Sequence, residues 1–376
     1  MHESVLSTRH NLGHRARLAL LCTVFLAMMS AALAAPLVIA HRGASGYRPE
    51  HTLESYRLAI EMGADFIEPD LVSTSDGHLV ARHEPEIGST TDVGTRPEFA
   101  ARKRTQRIDG QEFTGWFTTD FTLAELRTLR AIQPRADRSQ EFNGLYQIPT
   151  LEEIIDLARR EAAARGRVIG IYPETKHPTW HCEQGLPLEP KLLATLAAVG
   201  WTTRDSPVFL QSFESGNLRW LRSRTDLRLV QLLDGGRLCE DGSVSPCPEW
   251  TSAGACRLYP QGSIPRNFTD PATFKIFREY ADAVGPWKRH LIGSRQTDPT
   301  DDTERTRQVT TPTRFVELAH AAGLAVHPWT FRNEAIHLAA DYAGDPAAEY
   351  RAFAALGVDA VFSDFPDTAV AAFRQR

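Results

Sequence analysis

The sequence predicts an α/β fold, a (β/α)8 TIM barrel, from three observations. Short β-rich runs alternate with helical patterns along most of the chain. Those runs read as buried strands, and buried strands joined by helices make a parallel sheet. Titratable clusters sit at the ends of several runs, which is where a barrel carries its chemistry.

The first strand is LVIAHRG (37–43), and residues 52–62 form a helix closed by Gly63. DFIEPDLV (65–72) and HLVARHE (78–84) follow as strands. The series continues with RVIGIYPETK (167–176), PVFLQSF (207–213), LRLVQLL (227–233), AVGP (283–286), LAVHPWTF (324–331) and DAVFSDFP (359–366). Helical patterns between them include 149–165, 214–224, 311–323 and 346–357. That makes nine runs for eight barrel positions. Only STSDG separates the second from the third, too short for a crossover helix. The barrel is therefore irregular there, or one run lies outside it. Residues 86–146 are polar and Arg-rich and read as an insertion after the third strand. Residues 234–270 form a Gly/Pro/Ser-rich loop that carries cysteines.

The chain has 376 residues, 42% of them apolar, enough to bury a large core. Its net charge of -5 argues against a nucleic-acid or anionic-membrane partner. Residues 1–34 read as a signal peptide and 35–376 as the barrel domain. His14, Arg15 and Arg17 precede an uncharged run from Leu18 to Ala34 that ends in Ala32-Leu33-Ala34. An uncleaved anchor is the alternative, because the run approaches spanning length. With cleavage, no stable membrane insertion is expected, and the protein is periplasmic or secreted. Export leaves four cysteines, Cys182, Cys239, Cys247 and Cys256, which suggests disulfides. Three pairings are open, and a staple within the 239–256 stretch is expected. Zinc is disfavoured by the lack of a CxxC or a nearby His pair.

His41 and Arg42 end the first strand, and His83 ends the third. Glu68 and Asp70 lie two apart on the second, so both face one way. Glu174 and Lys176 repeat that spacing, and Trp329 lies in the run that begins at Leu324. Three carboxylates in one pocket cannot all stay ionised without a counter-charge. Oxygen ligands suit Ca²⁺ or Mg²⁺ better than zinc. A dication with Arg42 and Lys176 would attract a phosphodiester, and His41 and His83 would supply acid and base. Taken singly, each residue has a plainer reading as a solvated strand end or an ion pair, and Trp329 as packing. His51, His177, His327 and Asp364 are read in that plainer way.

With these residues assembled, the chain resembles the glycerophosphodiester phosphodiesterase family, in its bacterial periplasmic branch. The resemblance rests on His41-Arg42-Gly43, Pro49-Glu50-His51-Thr52, Glu68-Pro69-Asp70, Asp76-Gly77, His83 and Glu174-Thr175-Lys176. Gln211-Ser212-Phe213, His327-Pro328-Trp329-Thr330 and Ser363-Asp364-Phe365-Pro366-Asp367 extend it over about residues 37–370. It implies a distorted barrel of the phospholipase C-like phosphodiesterase type. It also implies hydrolysis of small glycerophosphodiesters to sn-glycerol 3-phosphate and an alcohol. By the same resemblance His41 and His83 are the acid/base pair, and Glu68, Asp70 and Glu174 hold Ca²⁺, with Mg²⁺ the alternative ion. Arg42 and Lys176 would contact phosphate, Glu50 would lie near metal or substrate, and Trp329 would line the glycerol side. Gly43 is expected to let backbone approach the ligand, and Thr52 or its neighbour to cap the next helix. Glu84 departs from the Asp often found after the second histidine. The competing readings are a phospholipase D-like enzyme acting on lysolipids or sphingolipids, and a non-catalytic glycerophosphodiester-binding protein.

Overall fold

The computed structural model describes residues 35–235, 244, 256, 258–259 and 264–374. The proposed signal peptide, Cys239 and Cys247 lie outside the described residues. Pro36–Arg376 forms one compact unit.

Strand β1 (Leu37–His41) pairs in parallel with β2 (Phe66–Glu68). Pro69 has no N–H for the ladder, so the strand breaks there and resumes as β3 (Asp70–Ser73). A turn then sends β4 (Leu79–Ala81) back antiparallel to β3. β5 (Arg104–Ile108) and β6 (Gln111–Gly115) form a hairpin inside the inserted segment. Pro173 splits the next rung into β7 (Gly170–Ile171) and β8 (Glu174–Thr175). β9 (Phe209–Ser212), β10 (Arg228–Leu233) and β11 (Ala283–Pro286) continue in parallel. A second hairpin, β12 (Ser294–Gln296) and β13 (Arg307–Val309), precedes β14 (Ala325–Val326) and β15 (Ala360–Ser363).

These strands make two main sheets, ordered β15-β1-β2-β7 and β14-β11-β10-β9-β8-β3-β4. The broken rungs β2/β3 and β7/β8 join the sheets on one side. On the other, Asp359 N–H donates to Val326 O at 3.0 Å, Phe362 N–H to Pro328 O at 3.1 Å and Phe331 N–H to Phe362 O at 2.8 Å. Eight parallel positions thus follow one another around a ring. The surplus ninth run is β4, the antiparallel return.

Strand parity divides the ring's side chains into an inner and an outer set. Ile39, Phe66, Tyr172, Phe209, Val230, Ala283, Ala360 and Phe362 form one buried cluster inside the ring. Their alternates, including Val38, Ala40, Ile67, Ile171, Leu210 and Leu229, pack outward with the helices. Stepping two residues on from the inner set reaches His41, Glu68, Glu174, Gln211, Leu232 and Asp364 at the carboxyl end. The helices have local causes. Thr52 caps Leu53–Glu61 by accepting from Ser55 N–H. Thr150 and Glu153 form a capping box on Leu151–Arg165, and Gly166 ends that helix at φ 62°.

The inserted segment has an apolar cluster of its own. Val93, Phe99, Phe121, Leu126 and Leu129 pack with Val72 and Val80 of the β3–β4 pair. Cys256 is bonded to Cys182, at the end of the helix Pro178–Glu183, with Cα atoms 5.7 Å apart. The staple expected within residues 239–256 is corrected here for Cys256. Its bond reaches across 74 residues to a helix whose Pro178 carbonyl also accepts from the loop's Tyr259, which donates as well to the buried Glu189 of the following helix. No helix among the described residues is long and apolar enough to cross a membrane.

Candidate active site

A cavity of about 280 Å³ opens at the carboxyl end of the ring. Its wall includes His41, Arg42, Glu68, Asp70, His83, Glu174, Lys176 and Trp329, so eight of the nine expected site residues meet there. The ninth, Glu50, lies behind Arg42 and accepts from its Nη1 at 2.9 Å. Burial opposes the Glu50 charge, but Arg42 and His51 hold the carboxyl down at about 2.

The loop after β1 is tightly built. Arg42 and His51 both sit at positive φ, 60° and 56°. Arg82, fully buried, donates from Nη2 to the Glu50 and His51 carbonyls at 2.9 Å each and clamps that loop to the end of β4. Gly43, at φ 89°, meets the next helix rather than the cavity. A Cβ there would lie 2.5 Å from Ser55 Oγ and 2.8 Å from the Ser55 backbone carbon. Its expected role toward the ligand is thereby corrected to helix packing.

Glu68, Asp70 and Glu174 are buried and each offers an oxygen within 4.8 Å of the others. Burial and the neighbouring carboxylates push Glu68 well up, and burial raises Glu174 to about 8 against the pull of Lys176. Asp70 stays ionised despite burial because His51 and Lys176 favour its charge. His51 Nε2 lies 2.9 Å from Asp70 Oδ2, and His51 Nδ1 lies 2.8 Å from Tyr56 Oη. Asp70 Oδ1 is buried with no hydrogen-bond partner among the described residues. An orphaned carboxylate oxygen inside a ring of oxygens fits a hard divalent cation. Gln211 and the Arg42 backbone N–H each donate to Glu68, at 3.0 and 2.7 Å, and fix its orientation.

Each candidate acid/base histidine is held through Nδ1 by a carboxylate. His41 Nδ1 lies 2.6 Å from Asp364 Oδ1 and His83 Nδ1 lies 3.0 Å from Glu84 Oε1. Asp364 and Glu84 are both held ionised, well below the usual carboxylate range, against burial. An ionised carboxylate only accepts, so each Nδ1 carries the proton and each Nε2 is left for the cavity. Burial and Arg42 lower the pKa of His41. Burial, Arg42 and Lys176 lower His83 to about 4.

The model of the glycerophosphoryl diester phosphodiesterase family matches residues 41–368, most of the chain. The chain belongs to this family. A glycerophosphodiester phosphodiesterase of Arabidopsis thaliana is 36% identical over 343 residues, 88% of this chain and 84% of that protein. One from Haemophilus influenzae is 30% identical over 352 residues, 89% and 88% of the two chains. Among solved structures, a phosphodiesterase of Oleispira antarctica in complex with the product sn-glycerol-3-phosphate superposes with a TM-score of 0.56 at 19% identity. It covers 91% of this chain and 98% of that one, a likeness of fold.

Within this phosphodiesterase family member, three residues read from sequence as ordinary belong to the site network. Asp364 holds His41 and also accepts from Arg332 Nε at 2.9 Å and Arg138 Nη2 at 2.5 Å. His51 holds Asp70. His177 Nε2 lies 2.8 Å from Glu84 Oε2. His327, by contrast, is a buried partner of Tyr172 below the cavity, as its plain reading has it. Sequence gave no warning of Arg332 and Asp234 on the cavity wall. The signal for Asp364 was available in strand parity, because Ala40 pairs with Ser363 and sets Asp364 beside His41.

Proposed function

We propose that the protein hydrolyses glycerophosphodiesters to sn-glycerol 3-phosphate and an alcohol, with His41 and His83 as the acid/base pair. The observation that carries this reading is the pairing of two carboxylate-held histidines with a buried acidic triad in one cavity. Glu68, Asp70 and Glu174 would hold a divalent cation, with Ca²⁺ favoured and Mg²⁺ the alternative. When bound, the ion supplies positive charge that stabilises the phosphate oxygens as negative charge develops on them.

The chain's own residues do the rest. Arg42, held charged against burial by Glu50 and Asp70, binds a phosphate oxygen beside the triad. Lys176, whose Nζ lies 3.1 Å from Glu174 Oε1 and 3.4 Å from His83 Nε2, adds a second fixed cation. An ammonium only donates, so His83 Nε2 faces it with a lone pair, which is the form a base needs. His41 then gives the leaving alcohol its proton from Nε2, and the phosphodiester anion favours the protonated form. Trp329, fixed by its Nε1–H to Gly285 O at 2.7 Å and edge-on to Phe213, offers an apolar wall to the glycerol carbons. We also read residues 1–34 as an export signal, which agrees with a disulfide at Cys182–Cys256.

The test is release of sn-glycerol 3-phosphate from glycerophosphocholine and glycerophosphoethanolamine by residues 35–376, compared with His41→Ala. The reading expects turnover in the wild type and a loss of at least ~100-fold in the variant with the fold intact. Retained turnover in His41→Ala would sink the assignment.

A further inference from the structure

Glu84 holds His83 Nδ1 through Oε1, which leaves Oε2 for a second partner. His177 supplies the second hold. Its Nε2 lies 2.8 Å from Glu84 Oε2, and its Nδ1 lies 2.5 Å from Asp109 Oδ2. A neutral imidazole has one N–H and can donate to one carboxylate only. With a carboxylate oxygen against each ring nitrogen, both must carry protons, and the ring is an imidazolium.

We propose that His177 is a charged positioning residue. With Asp109 from the inserted hairpin it fixes Glu84, and through Glu84 it keeps His83 in the Nδ1–H form that aims Nε2 at the cavity. This rests on the reading of His83 as an acid/base group. It also gives the insertion a function. Asp109-Gly110 is the two-residue turn between β5 and β6, with φ 46° and 84°, the left-handed pair that such a turn demands. Ile108, Phe113 and Phe117 pack on Trp180, in the helix that begins just after His177. The hairpin is therefore seated on the element that carries its partner.

The electrostatics agree with the geometry. Burial opposes the His177 charge, but Asp109 and Glu84 outweigh it and raise the ring to about 9, with Lys176 opposing. Among the described residues, Glu214 and His181 also sense His177.

Histidine side-chain ¹⁵N NMR on the folded chain tests this without substrate. His177 is assigned by its absence from His177→Gln. In the wild type at pH 7.5, both His177 nitrogens should be protonated and His83 should show a single Nδ1–H form. In His177→Gln, which keeps a donor but no charge, His83 should become a mixture of tautomers. Its kcat should fall about tenfold with KM changed less than about twofold. Asp109→Asn, at an exposed turn that tolerates either residue, should lower the His177 titration by more than about one pH unit. A neutral His177 in the wild type, or an unchanged His83 tautomer in His177→Gln, overturns the proposal. If wild-type His177 is doubly protonated but no glycerol 3-phosphate is released, the functional reading fails while the ion-pair chain stands.

Discussion

Replacing Asp364 with Asn tests how His41 is held. The Asp364 carboxylate accepts from His41 Nδ1 through one oxygen and from Arg138 and Arg332 through the other. In Asp364→Asn the two guanidinium groups still need an acceptor, so the amide oxygen turns to them. The amide N–H₂ then faces His41 Nδ1, which must accept, and the ring proton moves to Nε2. The ring keeps its Nε2 proton, but its doubly protonated form, which gives that proton to the leaving alcohol, loses the carboxylate that accepted from Nδ1–H and is disfavoured. What is lost is one hydrogen bond to a charged group, worth about 1.5–3 kcal/mol. If that hold is complete only in the transition state, kcat falls about 10- to 150-fold. KM should move less than about twofold, because Asp364 sits behind His41. Stability should fall too, though by less than the ~3–5 kcal/mol of a stranded buried charge. Arg138 keeps Glu334 at 2.7 Å and the Ser45 carbonyl at 3.1 Å. The assay is steady-state glycerol 3-phosphate release at a temperature where urea titration finds both proteins folded. A kcat within about threefold of wild type refutes the reasoning that Asp364 sustains protonated His41.

Three further outcomes follow from the same structure. Gly43→Ala should destabilise the fold by about 1–3 kcal/mol in urea unfolding, because positive φ and the Ser55 contact both oppose a Cβ; a neutral result would mean the loop relaxes freely. Reducing Cys182–Cys256 opens a link across 74 residues and should cost up to about 4 kcal/mol by loop entropy, read as a lower urea midpoint with reductant. His181 is fully buried, neither ring nitrogen has a hydrogen-bond partner among the described residues, and burial lowers its pKa to about 3. Above pH ~6.5 it is neutral folded or unfolded and contributes nothing. As pH falls from ~6.5 toward 3 the unfolded chain takes up a proton that the fold refuses, so stability drops. His181→Leu should remove one proton from that slope, about 1.4 kcal/mol per pH unit, and an unchanged slope would contradict the burial argument.

Much of the site was legible because strand parity is a local rule. His41, Glu68 and Glu174 each lie two residues beyond an inward apolar residue, so sequence alone aimed them at one mouth. The Pro69 break did not spoil this, since Asp70 kept the parity of Glu68 across it. What escaped were contacts that only ring closure or an insertion creates. Asp364 meets His41 across 323 residues, and Asp109 meets His177 across 68. Asp109 and His177 share no spacing to read, and the parity that places Asp364 shows only once β1 is known to pair with β15. The insertion's apolar cluster was hidden for a different reason. Its residues lie on short 3-10 turns, a one-turn helix and the loops between them, all too brief to show a helical period. Cys256 was misplaced because three cysteines share one Gly/Pro/Ser-rich stretch, whereas the fold brings the helix of Cys182 alongside.

The central claim is that the acidic triad holds a divalent ion without which the histidines do not turn over a glycerophosphodiester. The most direct measurement is glycerol 3-phosphate release by chelator-stripped protein as Ca²⁺ is added back. The account predicts negligible release when stripped and recovery that saturates with one bound ion per chain. The same one-to-one recovery should fail in Asp70→Asn, whose carboxylate oxygens face both the triad and His51. Full activity in the stripped protein, or recovery unaffected by Asp70→Asn, would contradict it.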